Sequence, residues 1–239
     1  MMTKDGSNRV STWFNQFTGP SAAVDAKSED SPGVPTPVGQ WPVWTPGLQN
    51  GLPMMAWSNA AFTHMHGLYV PGTLNKPTPD GVPVTILGVV RVADNIGGMA
   101  LTLRLNNNDL ECGLFTRGGG AFQIPMSSAQ DAAGVIFGHG LVPDVFDFTG
   151  RTLLCEWVFR GAGIAPQIYI NGVLQSLYSA DTGLQAYAGN SGYSVGFCNA
   201  VFDSIWRGYL GEIIGYLGDA QRLAARAYLA RKWGFILPP

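Results

Sequence analysis

The sequence predicts an all-β fold, a jelly-roll sandwich of two antiparallel sheets with one short C-terminal helix. Short strand-like runs, about ten to fourteen in number, follow one another with turn residues between them and no alternating helices. A helical pattern occurs only near the end of the chain. We therefore expect two packed sheets, and we treat residues 1–239 as a single domain because no segment resembles a linker between two cores.

The first third of the chain is expected to be extended and rich in loops. Eleven of the 16 prolines precede residue 84, and proline removes a donor from a strand ladder. Residues 10–17 are predicted as a first strand, residues 18–50 as a long irregular excursion, and residues 50–57 as a returning strand. The proline-rich stretch of about 18–83 is expected to belong to the same domain.

The remaining strands are predicted from apolar runs and turn chemistry. Residues 84–92 form a continuous apolar run, which indicates a central strand covered on both faces. Residues 99–105 and 110–115 predict a hairpin, with turn residues at 106–109, and Asn171-Gly172 is a hairpin signal between two further runs. The other predicted strands are 134–137, 152–159, 167–174 and 194–198. The three glycines at 118–120 are predicted to interrupt the strand pattern.

The C-terminal segment predicts a strand over 207–217 and a helix over 220–233. Asp219 is expected to cap the start of this helix, because its carboxylate can accept a hydrogen bond from a free backbone N–H. Gly234 is expected to end it in a left-handed conformation, with Arg231 and Lys232 in the last turn. The predicted buried face consists of Leu223, Ala227, Tyr228 and Ala230.

This segment carries a family resemblance. Residues 211–214 read Gly-Glu-Ile-Ile, residues 218–222 read Gly-Asp-Ala-Gln-Arg, and Tyr228-Leu229 is followed by Lys-Trp-Gly at 232–234. The pattern resembles the closing motif of the laminin-G-like jelly rolls of the concanavalin A-like superfamily, which occur in bacterial and phage-encoded proteins. The N-terminal part, with Val-Ser-Thr-Trp at 10–13 and Asn-Gly-Leu-Pro at 50–53, resembles the family more loosely. The resemblance implies an architecture, and an architecture alone does not imply an activity.

The composition restricts the class of partner. Charged residues make up 13% of the chain, with a net charge of -2, against roughly 25% charged residues in an average protein. We infer that part of the surface is covered by other chains. The charge provides no electrostatic reason to bind nucleic acid or an anionic membrane. The N-terminus lacks the pattern of a signal peptide, so synthesis in the cytosol is expected.

Two residue classes are expected to be structural. The three cysteines, Cys112, Cys155 and Cys198, lie in apolar runs, where cysteine acts as a small hydrophobic residue, and we expect no disulfide framework. The tryptophans expected in the core are Trp13, Trp57, Trp157 and Trp233.

Glycoside hydrolysis is disfavoured by the distribution of acids. That chemistry needs two carboxylates roughly 5 to 10 Å apart, whereas Glu111, Glu156 and Glu212 each stand alone in a predicted strand. Asp144 and Asp147 are read as turn residues. His139 lies between two glycines and no serine in the chain has a nucleophile motif around it, so a Ser-His-Asp arrangement is not indicated either. We expect no enzymatic activity.

No metal ion or cofactor is expected. His64 and His66 could begin a metal site if their segment is extended, but a third ligand is not evident. The oxygen-rich residues 106–109, with Asp94-Asn95, could hold calcium, although a hairpin turn requires the same residue types. The structural interpretation is favoured in both cases.

Aromatic residues in predicted loops are the candidate binding residues. Pyranose rings stack on aromatic faces edged by amides, and exposed aromatic residues also anchor protein interfaces. The candidates are Trp41, Trp44, Tyr178, Tyr187, Tyr193 and Asn190.

The function predicted from these observations is a non-enzymatic structural or interaction protein. The preferred hypothesis is a bacteriophage virion surface component, either a capsid decoration or a fibre-associated protein. Its partners would be other virion proteins and further copies of itself in a homo-oligomer. The alternative is a carbohydrate-binding module for host surface glycans, and a glycoside hydrolase is the least favoured of the three.

Overall fold

The computed structural model describes residues 2–13, 26–27, 29–31, 34–35, 42–57, 68–70, 84–93, 98–105, 109–119, 122–130, 136–141, 150–159, 167–176, 179–180, 191–195 and 208–239. These residues form β1 (Met2–Lys4), β2 (Val10–Trp13), β3 (Ala26–Lys27), β4 (Glu29–Ser31), β5 (Val34–Pro35), β6 (Val43–Gln49), β7 (Leu52–Trp57), β8 (Leu68–Val70), β9 (Val84–Val92), β10 (Gly98–Leu105), β11 (Asp109–Gly119), β12 (Phe122–Gln130), β13 (Ile136–Leu141), β14 (Thr152–Phe159), β15 (Gln167–Ile170), β16 (Val173–Leu174), β17 (Ser179–Ala180), β18 (Ser191–Val195), β19 (Gly208–Leu217) and the helix α1 (Arg222–Trp233).

Two large antiparallel sheets contain most of these strands. One has ten strands in the order β1-β2-β3-β8-β18-β10-β11-β12-β13-β17, and the other has seven in the order β16-β15-β14-β9-β19-β7-β6. Strands β4 and β5 form a separate pair. The predicted fold class is confirmed: the chain is an all-β jelly-roll sandwich with a short C-terminal helix.

Strand β9 lies at the centre of the seven-stranded sheet, between β14 and β19. Residues 85–90 are all buried, so both faces of the strand are covered, as its continuous apolar run predicted. The buried hydroxyl of Thr85 donates to the carbonyl oxygen of Gly218 at 2.6 Å, which ties the turn before the helix to this strand.

Helix α1 covers one face of the seven-stranded sheet, which we call the outer face. Leu229, Ala230 and Trp233 are buried against Met54 and Leu87, together with Val89 and Leu154. The predicted buried face was wrong in part. Only Ala230 of the four expected residues is buried, whereas Leu223 is 61% exposed and Tyr228 is 39% exposed. The side of the helix that faces the sheet also carries Arg222 and Arg226. Because these two residues are charged, a hydrophobicity pattern does not identify this side as the buried one.

The start of α1 also differs from the prediction. Gln221, not Asp219, occupies the N-cap position, and no side chain caps the helix there. The backbone carbonyl of Asp219 instead accepts the Arg222 N–H at 3.0 Å, closing a turn before the helix begins. Gly234 ends the helix in the left-handed conformation, with φ 75°, as predicted.

The hairpin of β6 and β7 corrects the prediction for residues 18–50. Residues 43–49 form a strand, although Pro46 suggested an irregular segment. Strand β6 lies at the edge of the seven-stranded sheet, where a missing N–H is tolerated, and its register with β7 shifts between Thr45 and Gln49. Asn50 and Gly51 both have positive φ and make the turn. The Asn50 and Gln49 amides then donate to the carbonyls of Lys232 and Trp233, each at 3.0 Å, which caps the end of α1.

Two predicted hairpins are confirmed, and of the several strands that were not predicted β12 is the longest. Strands β10 and β11 pair antiparallel, and β15 and β16 pair across Asn171 and Gly172, which have φ of 49° and 84°. Strand β12 was not predicted, because Pro125 and adjacent serines interrupt any alternating pattern. Gly118 and Gly119, read as a break, are the last residues of β11.

The expected core residues are confirmed where their side chains are described. Trp157 and Trp233 are buried, and Cys155 is buried as a free thiol whose pKa is raised by burial and by the neighbouring Glu156 charge. The side chains of Trp13, Trp57, Cys112 and Cys198 lie outside the described set. Within the described ranges, no helix has the length and apolar character needed to cross a membrane.

Candidate functional site

Two of the predicted binding residues lie in strands, not in the loops expected from the sequence. Trp44 is in β6, opposite Met55 of β7, and Tyr193 is in β18, opposite Leu103 of β10. They belong to different sheets, so the structure does not assemble them on one strand surface. The other predicted residues, Trp41, Tyr178, Tyr187 and Asn190, lie outside the described residues.

The backbone around Trp44 is held from both sides. On one side β6 pairs with β7. On the other side the Trp44 N–H donates to the Asn8 carbonyl at 2.8 Å, and the Val10 N–H donates to the Pro42 carbonyl at 2.7 Å. The segment between β1 and β2 therefore covers the edge of the seven-stranded sheet, which satisfies backbone groups that an open edge would expose.

Three side chains form the surface that we call the Trp44 edge: Lys4, Asn8 and Trp44. The Lys4 ammonium lies 5.1 Å from the centre of the Trp44 ring, a distance suited to a cation–π contact. Lys4 Nζ also donates to Asn8 Oδ1 at 3.4 Å. Lys4 and Asn8 are exposed and Trp44 is half-buried. Asn8 has φ 60°, a conformation that asparagine tolerates better than most residues.

The neighbouring acid is already paired. Asp5 Oδ1 accepts the backbone N–H groups of Ser7 and Arg9 at 2.8 and 2.9 Å, and Asp5 Oδ2 pairs with Arg9 Nε at 3.0 Å. The hydrogen bond from the Arg9 backbone and the further contacts with Ser7 and Arg9 lower the pKa of Asp5. Lys4 is thus left with the indole and an amide as its described contacts.

Glu156 is a buried acid on the outer face. It is 0% exposed and accepts hydrogen bonds from Arg226 Nη2 at 2.9 Å and Arg222 Nη1 at 3.0 Å, and from Arg226 Nε. The two guanidinium groups lie over the Tyr169 ring, at 4.1 and 5.0 Å. We call these four residues the helix clamp, because they join α1 to β14 and β15.

Glu212 binds the other end of the helix. Strand β19 has an irregularity opposite β9, where Leu210 pairs with Val90 and Ile213 with Gly88. Gly211 and Glu212 therefore lie opposite a single residue of β9, Val89. Such a bulge changes the direction in which the side chains point. The carboxylate of Glu212 accepts hydrogen bonds from Trp233 Nε1 at 3.1 Å and Tyr228 Oη at 3.0 Å, and pairs with Lys232 at 2.8 Å.

The metal hypotheses are not resolved by the structure. His64, His66, Asp94, Asn95 and residues 106–108 lie outside the described residues, as do the predicted turn residues Asp144 and Asp147, and Asp109 begins β11. Among the residues that the structure describes, no group of three or more His, Cys, Asp or Glu side chains is placed to hold a metal ion.

Comparisons with known proteins provide similarities of fold only. No protein-family model matches the chain, and no curated protein matches it either. The chain is similar to domain 4 of AbnA, a GH43 extracellular arabinanase from Geobacillus stearothermophilus solved with arabinotriose, with 14% identity, 78% of each chain covered and a TM-score of 0.49.

Two further similar structures are a heptameric pentraxin and a galectin. The SAP-like pentraxin from Limulus polyphemus is 16% identical, with 61% of this chain and 72% of that chain covered and a TM-score of 0.41. The galectin LEC-6 from Caenorhabditis elegans is 12% identical, with coverages of 64% and 90% and a TM-score of 0.36.

Sequence reasoning identified Trp44 but missed the residues around it. Lys4 precedes the proline-rich region and belongs to no recognisable motif, and it reaches Trp44 only because β1 folds back on β2. For Asn8 the sequence indicated only a turn, since asparagine favours turns. The pairing of Glu156 with the helix also had no signal, because 66 positions separate it from Arg222.

Proposed function

We propose that this chain is a non-enzymatic binding module. The proposal rests on one observation: the carboxylates described in its strands are engaged in holding the helix. Two strand carboxylates have described side chains, Glu156 and Glu212, and both accept hydrogen bonds from α1. A hydrolase would need such acids free to contact the glycosidic oxygen and the anomeric carbon. The side chain of Glu111, in β11, is outside the described set.

A hydrolysis assay tests this part of the proposal. The purified chain would be incubated with arabinan, xylan, pectin and β-glucan, and the release of reducing ends would be measured against a heat-denatured sample. We expect no release above that control. Hydrolysis by the wild-type chain that is lost in Glu111→Gln would show that the chain is an enzyme.

We further propose that the module binds carbohydrate at the Trp44 edge. An indole offers an apolar face to the C–H groups of a sugar ring, and Asn8 and Lys4 offer hydrogen-bonding groups for its hydroxyls. The backbone at Trp44 is hydrogen-bonded on both sides, so little ordering is needed when a ligand binds.

A glycan array with two matched variants tests the site. Trp44→Ala should lose binding, and Val173→Ala, at an exposed position of β16 on the opposite edge of the same sheet, should retain it. Both variants require a folding check by circular dichroism. Absence of binding by the wild-type chain to every glycan, or equal binding by both variants, would contradict carbohydrate binding at Trp44.

A virion surface role is the second candidate function. The low share of charged residues, 13%, and the resemblance to laminin-G-like jelly rolls of phage-encoded proteins support it. In this role the chain would pack on other virion proteins and on copies of itself. Light scattering after size-exclusion chromatography should then show an oligomer, whereas a monomer that does not bind purified particles would argue against this role.

A further inference from the structure

A second surface on the outer face of the seven-stranded sheet has features of a binding site. Successive strand pairings place five side chains in one line: Val43 opposite Ala56, Ala56 opposite Tyr209, Tyr209 opposite Arg91, and Arg91 opposite Thr152. Paired residues point to the same face of a sheet. We call this set the Arg91 row.

The Arg91 row lies on the same face as α1. Tyr209 packs against the cluster beneath the helix, and Arg91 follows Val89 of that cluster by two positions, which returns its side chain to the same face. The row is nevertheless not buried like the cluster. Val43 is 37% exposed, and Ala56, Tyr209, Arg91 and Thr152 are half-buried.

The charge of Arg91 is not balanced by an acid of the described residues. The described ion pairs join Asp5 to Arg9, Glu212 to Lys232, and Glu156 to the arginines of the helix clamp. The guanidinium of Arg91 lies instead over the Tyr209 ring, at 5.7 Å from its centre. Arg151, which is exposed and immediately precedes Thr152, also has no acidic partner among the described residues, so two such arginines lie at this end of the sheet.

We propose that the Arg91 row binds an acidic saccharide through its carboxylate. A guanidinium presents two parallel N–H donors that match the two oxygens of a carboxylate. The Tyr209 ring provides an aromatic face for a sugar ring, Ala56 and Val43 continue it as an apolar floor, and the hydroxyl of Thr152 can bond a sugar hydroxyl. Rigid strands hold all five positions, so the surface is ordered before a ligand arrives.

This site is separate from the Trp44 edge. Val43 and Trp44 are consecutive residues of β6 and point to opposite faces of the sheet. Trp44 shares its face with the buried Met55, whereas Val43 shares the face of the helix. Binding at the Arg91 row therefore does not depend on the proposed carbohydrate binding at Trp44, and variants of each surface distinguish the two.

Calorimetric titration of the full chain tests the proposal. The probes are oligogalacturonate against its methyl ester, and sialyllactose against lactose. We expect at least one acidic probe to bind roughly tenfold or more tightly than its neutral counterpart, because a hydrogen bond to a charged group is among the stronger polar contacts. The affinity for that acidic probe should fall as salt is added.

Matched variants locate the binding. Arg91→Met keeps the apolar part of the side chain and should remove the preference for the acidic probe. Arg91→Lys keeps the positive charge but lacks the two parallel N–H donors, so it should retain only part of that preference. Arg231→Gln removes an exposed arginine from α1 and should bind as the wild type does. Equal affinity for acid and neutral probes, equal losses in Arg91→Met and Arg231→Gln, or no binding of any probe would overturn the proposal.

Discussion

The outer face of the seven-stranded sheet holds two arginine sites that differ in what balances their charge. At the helix clamp, Arg222 and Arg226 share the buried Glu156 and stack on Tyr169. At the Arg91 row the guanidinium also lies over a tyrosine, but no described acid pairs with it. The same two residue types therefore join a helix to a sheet at one place and leave a charge available to a ligand at the other.

Burial explains why the two sites have different roles. An acid that is 0% exposed must be paired, because an uncompensated buried charge costs several kcal/mol. Arg91 is only half-buried, so water can solvate its charge without a protein partner. A structural ion pair is therefore expected beneath the helix. Where the helix does not cover the sheet, an arginine can remain without an acidic partner at little cost in stability.

The largest effect is expected from Glu156→Ala. It would leave two guanidinium groups beneath the helix without their acid, at a cost of about 3–5 kcal/mol in the free energy of unfolding. Urea denaturation followed by circular dichroism measures this change. Replacing Glu156, Arg222 and Arg226 together by methionine should cost far less, and equal losses in both variants would show that shape, not charge, joins the helix to the sheet.

A smaller effect is expected from Gly211→Ala, at the other end of the helix. An added Cβ would lie 2.5 Å from the Trp233 ring, and overpacking of a core costs about 1–3 kcal/mol. Gly6→Ala is the matched control, since no atom lies within 4 Å of that added carbon. Unchanged stability of Gly211→Ala would show that Trp233 can move without loosening the helix.

The pair of Lys232 and Glu212 should make a modest, pH-dependent contribution. Partial burial lowers the pKa of Lys232, but the hydrogen bonds to Glu212 and Tyr228 and the Glu212 charge outweigh it and raise the pKa. A raised pKa means that the folded state holds the proton more tightly. The added stability is therefore complete below the unfolded pKa of about 10.4 and is lost as pH rises through the folded value.

Denaturation at pH 9 and pH 11 measures this loss. The Lys232 side chain is 40% exposed, so the difference attributable to the pair should stay below about 1 kcal/mol. Lys232→Met provides the comparison, because it should lack this part of the pH dependence. An identical pH dependence in the variant and the wild type would contradict the assignment.

The smallest effect on stability is expected from Arg91→Met. Because no described acid pairs with Arg91, the free energy of unfolding should change by less than about 0.5 kcal/mol. The same denaturation assay, run beside Glu156→Ala, measures the contrast between the two arginine sites. A loss comparable with that of Glu156→Ala would show that Arg91 is structural and would remove the distinction.

The sequence predicted the strands whose signals are local. The continuous apolar run of β9, the Asn171-Gly172 hairpin and the glycine at the end of α1 each depend on neighbouring residues. The prediction for β6 was wrong because its proline is acceptable only at a sheet edge, and the order of strands is not encoded locally. Of the candidate binding residues, Trp44 was assigned to a loop for the same reason, whereas Tyr193 was assigned to one because its strand was predicted to begin at residue 194 and begins at Ser191.

What the sequence alone determined is the fold class and the positions of its most regular elements, since backbone propensity and side-chain alternation act over a few residues. Tertiary structure alone decided which charges are satisfied. Glu156 meets Arg226 across 70 positions, and Arg91 meets Tyr209 only because β9 and β19 are adjacent. Electrostatic pairing depends on distance in space, and strand order sets that distance here.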